Sequence, residues 1–202
     1  MGGVGERRAE TIQEGRAVDT TAAYPHELVR MIALEDGTSV RLRPIRPDDE
    51  AGLEDLYERL SRQTAYQRFF TVLRQLPSDW YRSFANVDYV RRLALVAERD
   101  TVAGTRLIGV GRYEPSEEPD VAEVAFVVED GWQGRGLGAV LLDAVLLAAE
   151  ARGIRRFKAD VLADNYRMLR LLATRTRVEE RRTQEGVTEL RFRPRASDEL
   201  VQ

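Results

Sequence analysis

Hydrophobic positions follow two periods along this chain, and the changes between them mark out its elements. Leu28 to Leu34 reads as a first strand closed by the hairpin-type pair Asp36-Gly37, and Val40 and Leu42 then alternate with Ser39, Arg41 and Arg43 in a second strand. Pro47-Asp48-Asp49-Glu50 is a helix start, followed by Leu53, Leu56, Tyr57 and Leu60 at helical spacing. The helical pattern resumes from Gln63 to Phe70 after a break near Ser61. Another helix opens at Leu76-Pro77-Ser78-Asp79, with Ser78 or Asp79 as its cap and Trp80, Tyr81 and Phe84 on its apolar face. Leu93 to Glu98 and Leu107 to Tyr113 read as a hairpin, with residues 99–105 as its turn and 114–120 as an acidic, proline-containing loop. Val121 to Val128 is a central strand, Leu137 to Arg152 a long helix closed by Gly153, and Phe157 to Val161 a further strand. Asp164 is placed to cap a helix carrying Met168, Leu169, Leu171 and Leu172, and Val187 to Phe192 is a last strand. The order predicts a single α/β domain with a mixed sheet over residues 24–195. Residues 1–23 and 196–202 are expected to be tails.

Between the central strand and the long helix lies Gln133-Gly134-Arg135-Gly136-Leu137-Gly138. Strand, small residues and helix N-terminus in succession form an anion cradle, because the first amides of a helix lack intrahelical partners and the dipole is positive there. The spacing is G-x-G-x-G, not the G-x-G-x-x-G of a dinucleotide fold, and no Gly-Lys-Ser/Thr triplet of a P-loop occurs. What fits is Gln-x-x-Gly-x-Gly through Gln133, Gly136 and Gly138.

Composition removes several chemistries. There is no cysteine and one histidine, His26, so thiol nucleophiles, Cys-ligated zinc and multi-His metal sites are excluded, and no metal is expected. A net charge of −3 argues against nucleic acid as a partner. The N-terminal residues lack the apolar run of a signal peptide. The most apolar helix, Ala139 to Ala149, is broken by Asp143 and falls short of the ~20 residues that span a bilayer. Those features point to a cytoplasmic protein away from the membrane. No segment shows heptads that would indicate an oligomer.

The glycine turn resembles the pyrophosphate loop of the GNAT superfamily of N-acetyltransferases, which bind acetyl-CoA. Further segments resemble its bacterial protein lysine acetyltransferase branch: Asp36-Gly37 with Arg43 to Asp49, Leu60-Ser61, Tyr66 to Phe70, Val87-Asp88-Tyr89, Ala94 to Ala97, Ile108 to Tyr113, Ala122 to Phe126, and Asn165 with Met168-Leu169. The similarity covers roughly residues 24–194. It implies a GNAT-type domain with a mixed, mostly antiparallel central sheet flanked by helices. It also implies transfer of an acetyl group to the lysine of a protein substrate such as an acyl-CoA synthetase.

An acid in an apolar strand, Glu123 sits on the face of Val121, Ala125 and Val127, and both its chemistry and the resemblance make it the candidate general base. The alternative for it is a solvent-facing or arginine-paired glutamate. By the same resemblance, main-chain groups around Phe126, Val127 and Val128 would pair with the pantetheine arm, and the amides from Gln133 through Gly134, Arg135, Gly136, Leu137 and Gly138 would hold the pyrophosphate. Arg135 either adds charge to a phosphate or is simply solvated. Asn165 either contacts pantetheine or only caps its helix. Two departures from the family pattern stand out: Leu172 replaces a thiolate-protonating tyrosine, and Thr174-Arg175-Thr176-Arg177 replaces a Gly-Phe pair. They keep open a small-amine or antibiotic acetyltransferase and a non-catalytic acetyl-CoA sensor.

Overall fold

The computed structural model describes residues 22–71, 76–102 and 104–195. Eight strands form one sheet: β1 (Arg30–Ala33), β2 (Ser39–Pro44), β3 (Leu93–Thr101), β4 (Gly104–Pro115), β5 (Val121–Val128), β6 (Arg156–Leu162), β7 (Thr176–Gln184) and β8 (Val187–Pro194). Their spatial order is β1-β2-β3-β4-β5-β6-β8-β7. Every neighbouring pair is antiparallel except β5 and β6, which are joined by a helical crossover and run parallel. The helices are α1 (Glu50–Glu58), α2 (Arg62–Phe69), α3 (Ser78–Ala85), α4 (Leu137–Glu150) and α5 (Tyr166–Arg175). The fold is therefore an α/β domain with a mixed, mostly antiparallel sheet.

Side-chain alternation assigns the two faces of the sheet. On β4, Gly109 and Gly111 face α4: a Cβ at Gly111 would lie 2.9 Å from the Phe126 ring and 3.1 Å from Val145. Glycine is required there because the Phe126 ring of the next strand lies directly over the backbone. The intervening Arg112 faces the other way, its guanidinium 4.7 Å over the ring of Phe84 on α3. Because Gly111 opposes Phe126, and Glu114 opposes Glu123, the face carrying Phe126 and Val128 belongs to α4. Glu123, Ala125 and Val127 share the opposite face. The core holds Leu141, Val145, Leu95, Ile108, Val124 and Phe157, all essentially buried.

Several boundaries differ from the sequence expectation. β1 begins at Arg30, since His26–Leu28 forms a short 3-10 turn. The β3–β4 hairpin is longer than its apolar stretch: Arg99, Asp100 and Thr105 stay in register, and the pairing runs as far as Thr101 and Gly104. No side chain caps α3: its cap position is Pro77, and Ser78 is already helical. Asn165, not Asp164, caps α5, its Oδ1 accepting from Met168 N–H at 3.2 Å. The hydrophobic pattern predicts no strand where β7 runs. This strand follows α5 without a loop and is exposed along nearly all its length. The expected tails fall largely on residues 1–21 and 196–202, outside those described.

Candidate active site

The two flanks of β5 differ. Toward β4 the ladder runs through seven consecutive pairs, Gly109↔Val128 to Pro115↔Ala122. Toward β6 it has three, Val121↔Arg156, Ala122↔Phe157 and Glu123↔Lys158, after which the strands part. β6 meanwhile stays paired to β8 as far as Leu162. The gap is a cleft lined by Val124 to Val128 of β5 and Ala159, Asp160 and Val161 of β6. Thr64, Gln67, Arg68 and Phe70 of the α2 region border it, with Gln133, Gly134, Gly138, Asn165, Arg167, Met168, Leu171 and Leu172. Residues from both faces of the sheet contribute, so the cleft passes between the strands.

Backbone direction follows from the register. Ser116 N–H donates to Val121 C=O and Glu129 N–H to Ile108 C=O, each pair one step beyond an end of the β4–β5 register. Hydrogen-bonded pairs alternate along an antiparallel ladder. Hence the main-chain groups of residues 121, 123, 125 and 127 point to β4, and those of Val124, Phe126 and Val128 point to the cleft. Of the strand residues named from sequence, Phe126 turns its main-chain groups into the gap and Val127 spends its own on β4. Val128 C=O is engaged by Gln133 Nε2 at 3.0 Å.

At the open end a 3-10 turn, Asp130–Trp132, leads into the glycine loop. Gly136 is the cap residue of α4, with φ +85°, a left-handed conformation that side chains with a Cβ adopt only under strain. It offers no side-chain cap, so the first amides of α4 keep their donors for an incoming anion. Gln133 ties the loop to both walls: Nε2 also reaches Thr64 Oγ1 at 3.2 Å, and Oε1 accepts from Arg167 Nη1 at 3.0 Å. Asp130 fixes the α2 wall by accepting from Ser61 Oγ (2.6 Å), Ser61 N–H (2.9 Å) and Thr64 Oγ1 (2.8 Å). Partial burial pushes its carboxyl up, but these hydrogen bonds outweigh that and hold it below the usual range. Gly134 and Gly138 line the cleft, as does Asn165, which keeps its capping bond. Gly136, Leu137 and Arg135 do not line it. Arg135 instead pairs with Asp36 at 3.1 Å and lies 4.9 Å over the Trp132 ring.

The closed end carries charge. Glu123 stands on the last rung beside Lys158, with Oε2 3.8 Å from Nζ, and is not itself a lining residue of the cleft. On its other side it opposes Glu114. Arg112, 4% exposed, pairs with Glu114 at 2.6 Å, and Arg92 lies at 3.7 Å. Burial pushes the Glu114 carboxyl up, but Arg112, Arg92 and Arg68 outweigh it and leave it below its ordinary value. The row thus presents Glu123 between a second carboxylate held by arginines and the sole lysine of the chain. Tyr166 is 75% exposed and absent from the lining, whereas Leu172 is buried against the cleft. Sequence reasoning missed Arg167, Arg68, Thr64 and the β6 wall. Only Arg167 had a usable signal, in the helical turn that starts at Asn165.

The chain matches the acetyltransferase (GNAT) family over residues 53–175. An acetyltransferase of Pseudomonas aeruginosa is 29% identical over 136 residues, 67% of this chain and 73% of that protein. Acetyltransferase Pat of Mycolicibacterium smegmatis is 33% identical over 146 residues, 70% of this chain but 42% of its own length, so this chain spans less than half of that relative. The crystal structure of the GNAT domain of S. lividans PAT superposes with a TM-score of 0.75 at 36% identity, covering 85% of this chain and 99% of that one.

Proposed function

This chain belongs to the GNAT acetyltransferase family, and from that premise we propose that it moves an acetyl group from acetyl-CoA to the side-chain amine of a lysine on a protein substrate, with acyl-CoA synthetases as the acceptor class. The similarity to Pat acetyltransferases supports the protein acceptor. One observation carries the reading: the parting of β5 from β6, with amide donors at its open end and a carboxylate on its last closed rung.

The residues present fit the coenzyme. Val124 and Phe126 offer main-chain donors and acceptors along the gap, as an extended amide-bearing arm requires, while Gly134, Gly138 and the first turn of α4 offer amides suited to a pyrophosphate. Bound there, the coenzyme supplies an activated thioester. Glu123 then takes a proton from the acceptor. A lysine amine with a pKa near 10.4 is almost wholly protonated at neutral pH, so a carboxylate that accepts the proton as attack occurs lowers the barrier. Lys158 holds the Glu123 carboxylate at the closed end of the cleft by ion pairing across the last rung. Leu172 and the outward Tyr166 supply no proton to the leaving thiolate, which leaves that proton to solvent.

The test is Glu123→Gln, assayed by thiol release from acetyl-CoA with a protein acceptor. Acetyl-CoA affinity stays within about twofold and kcat falls by about 10²–10⁴, the range for loss of a general base. Wild-type turnover in the variant removes Glu123 from the role. Mass spectrometry of a synthetase incubated with enzyme and acetyl-CoA, beside a panel of free amines, tests the acceptor: acetylation of the amines alone contradicts the protein-directed reading.

A further inference from the structure

Resting on that coenzyme site, we propose that Arg167, rather than Arg135, supplies the side-chain cation that grips the pyrophosphate. Both arginines lie near the cleft end that holds the glycine loop, but their surroundings differ. Arg135 lies within the loop and is committed elsewhere: its Nη1 sits 3.1 Å from Asp36 Oδ2 on the β1–β2 turn, and its guanidinium packs 4.9 Å over Trp132. Turning to a phosphate would cost it an existing carboxylate and an aromatic face. Arg167, from the first turn of α5, lines the cleft, and its Nη1 donates to the neutral side-chain oxygen of Gln133 at 3.0 Å. Exchanging an amide oxygen for a phosphate oxygen turns an ordinary hydrogen bond into a charge-assisted one, and the planar fork of a guanidinium suits two phosphate oxygens at once.

Position favours the same residue. Gln133 stands at the start of the loop that delivers the α4 amide donors, and Arg167 donates to it, so the cation lies on the same stretch of lining as Gly134 and Gly138. A pyrophosphate entering there meets backbone donors and a cation together. Arg68 also borders the cleft, but it acts on Glu114 at the closed end. Arg167 therefore closes the cleft over the diphosphate and releases Gln133 as it does so.

Calorimetric titration with coenzyme A tests this without turnover, using the wild type, Arg167→Ala, Arg167→Glu, Arg167→Lys and Arg135→Ala. Arg167→Ala weakens binding by about tenfold or more, as expected for a hydrogen bond to a charged group. Arg167→Glu weakens it further, Arg167→Lys falls between, and Arg135→Ala stays within about twofold. Dephospho-coenzyme A, which keeps the pyrophosphate and lacks the 3′-phosphate, shows the same loss in Arg167→Ala. Wild-type affinity in Arg167→Ala and Arg167→Glu overturns the proposal, as does a larger loss in Arg135→Ala. A loss that vanishes with dephospho-coenzyme A overturns it too, by assigning Arg167 to the 3′-phosphate. Absence of binding to the wild type is a different failure, because it removes the coenzyme site itself.

Discussion

The two seams of β5 are made of the same strand and do opposite work. The β4 seam is sealed: seven rungs, the Phe126 ring laid on Gly111, and α4 packed over both. The β6 seam closes for three rungs and then opens, so that Val124 and Phe126 turn main-chain groups into a cleft instead of a ladder. Buried main-chain groups without partners are costly, and a strand can leave them toward a cleft only where solvent or a ligand completes them. The sealed seam fixes the strand in register, and the open seam presents its main-chain donors and acceptors at strand spacing.

The largest expected effect comes from damaging the sealed seam. Gly111→Val forces a branched side chain into the Phe126 ring and Val145, with an expected loss of about 3 kcal/mol, measured by thermal or denaturant unfolding. An unchanged melting temperature would mean that Phe126 can move off the strand, and the two seams would then be less distinct. Next comes the open end. Gly136→Val places a β-branched residue at φ +85° and raises the coenzyme A dissociation constant about thirtyfold in calorimetry, with a much smaller change in affinity at Gly131, outside the αL loop positions, when Gly131→Ala is compared.

Smaller still is the anchor of the α2 wall. Asp130→Ala removes the acceptor for Ser61 and Thr64 and costs about 1 kcal/mol. It also changes the acid response. Because hydrogen bonding holds the folded carboxyl of Asp130 below its unfolded value near 3.9, its contribution is complete above that pH and fades as pH falls through the folded value. Glu114, held low by its arginines, behaves in the same sense. Unfolding followed between about pH 5 and pH 2 should therefore show a steeper loss in the wild type than in Asp130→Asn. Parallel curves would contradict the anchoring role.

Much of this was legible where burial writes itself into periodicity. β4, β5, β6 and α4 bury one or both faces, so Ile108, Val124, Phe157 and Leu141 had to be apolar and could be read directly. β7 could not be, because an edge strand that faces solvent is free to be Arg177-Val178-Glu179-Glu180-Arg181-Arg182, and charge on an edge also discourages pairing with other chains. The β3–β4 hairpin was underestimated for the same reason, since Arg99 and Asp100 extend beyond the core. At the site, the loop from Gln133 to Gly138 was visible because glycine spacing reflects local backbone geometry. Which arginine faces the cleft was not, because it depends on Asp36 and Trp132 drawing Arg135 outward. Nor was the tie between Gln133 and Val128 C=O, which only the folded loop creates.

The claim that coenzyme occupies the open seam is tested most directly by amide hydrogen exchange with and without coenzyme A. The predicted result is slowed exchange at Val124 and Phe126 and at residues 137–139, with Ala125 and Val127, already paired to β4, unchanged. Saturating coenzyme A that leaves Val124 and Phe126 exchanging at their free rate would contradict the account.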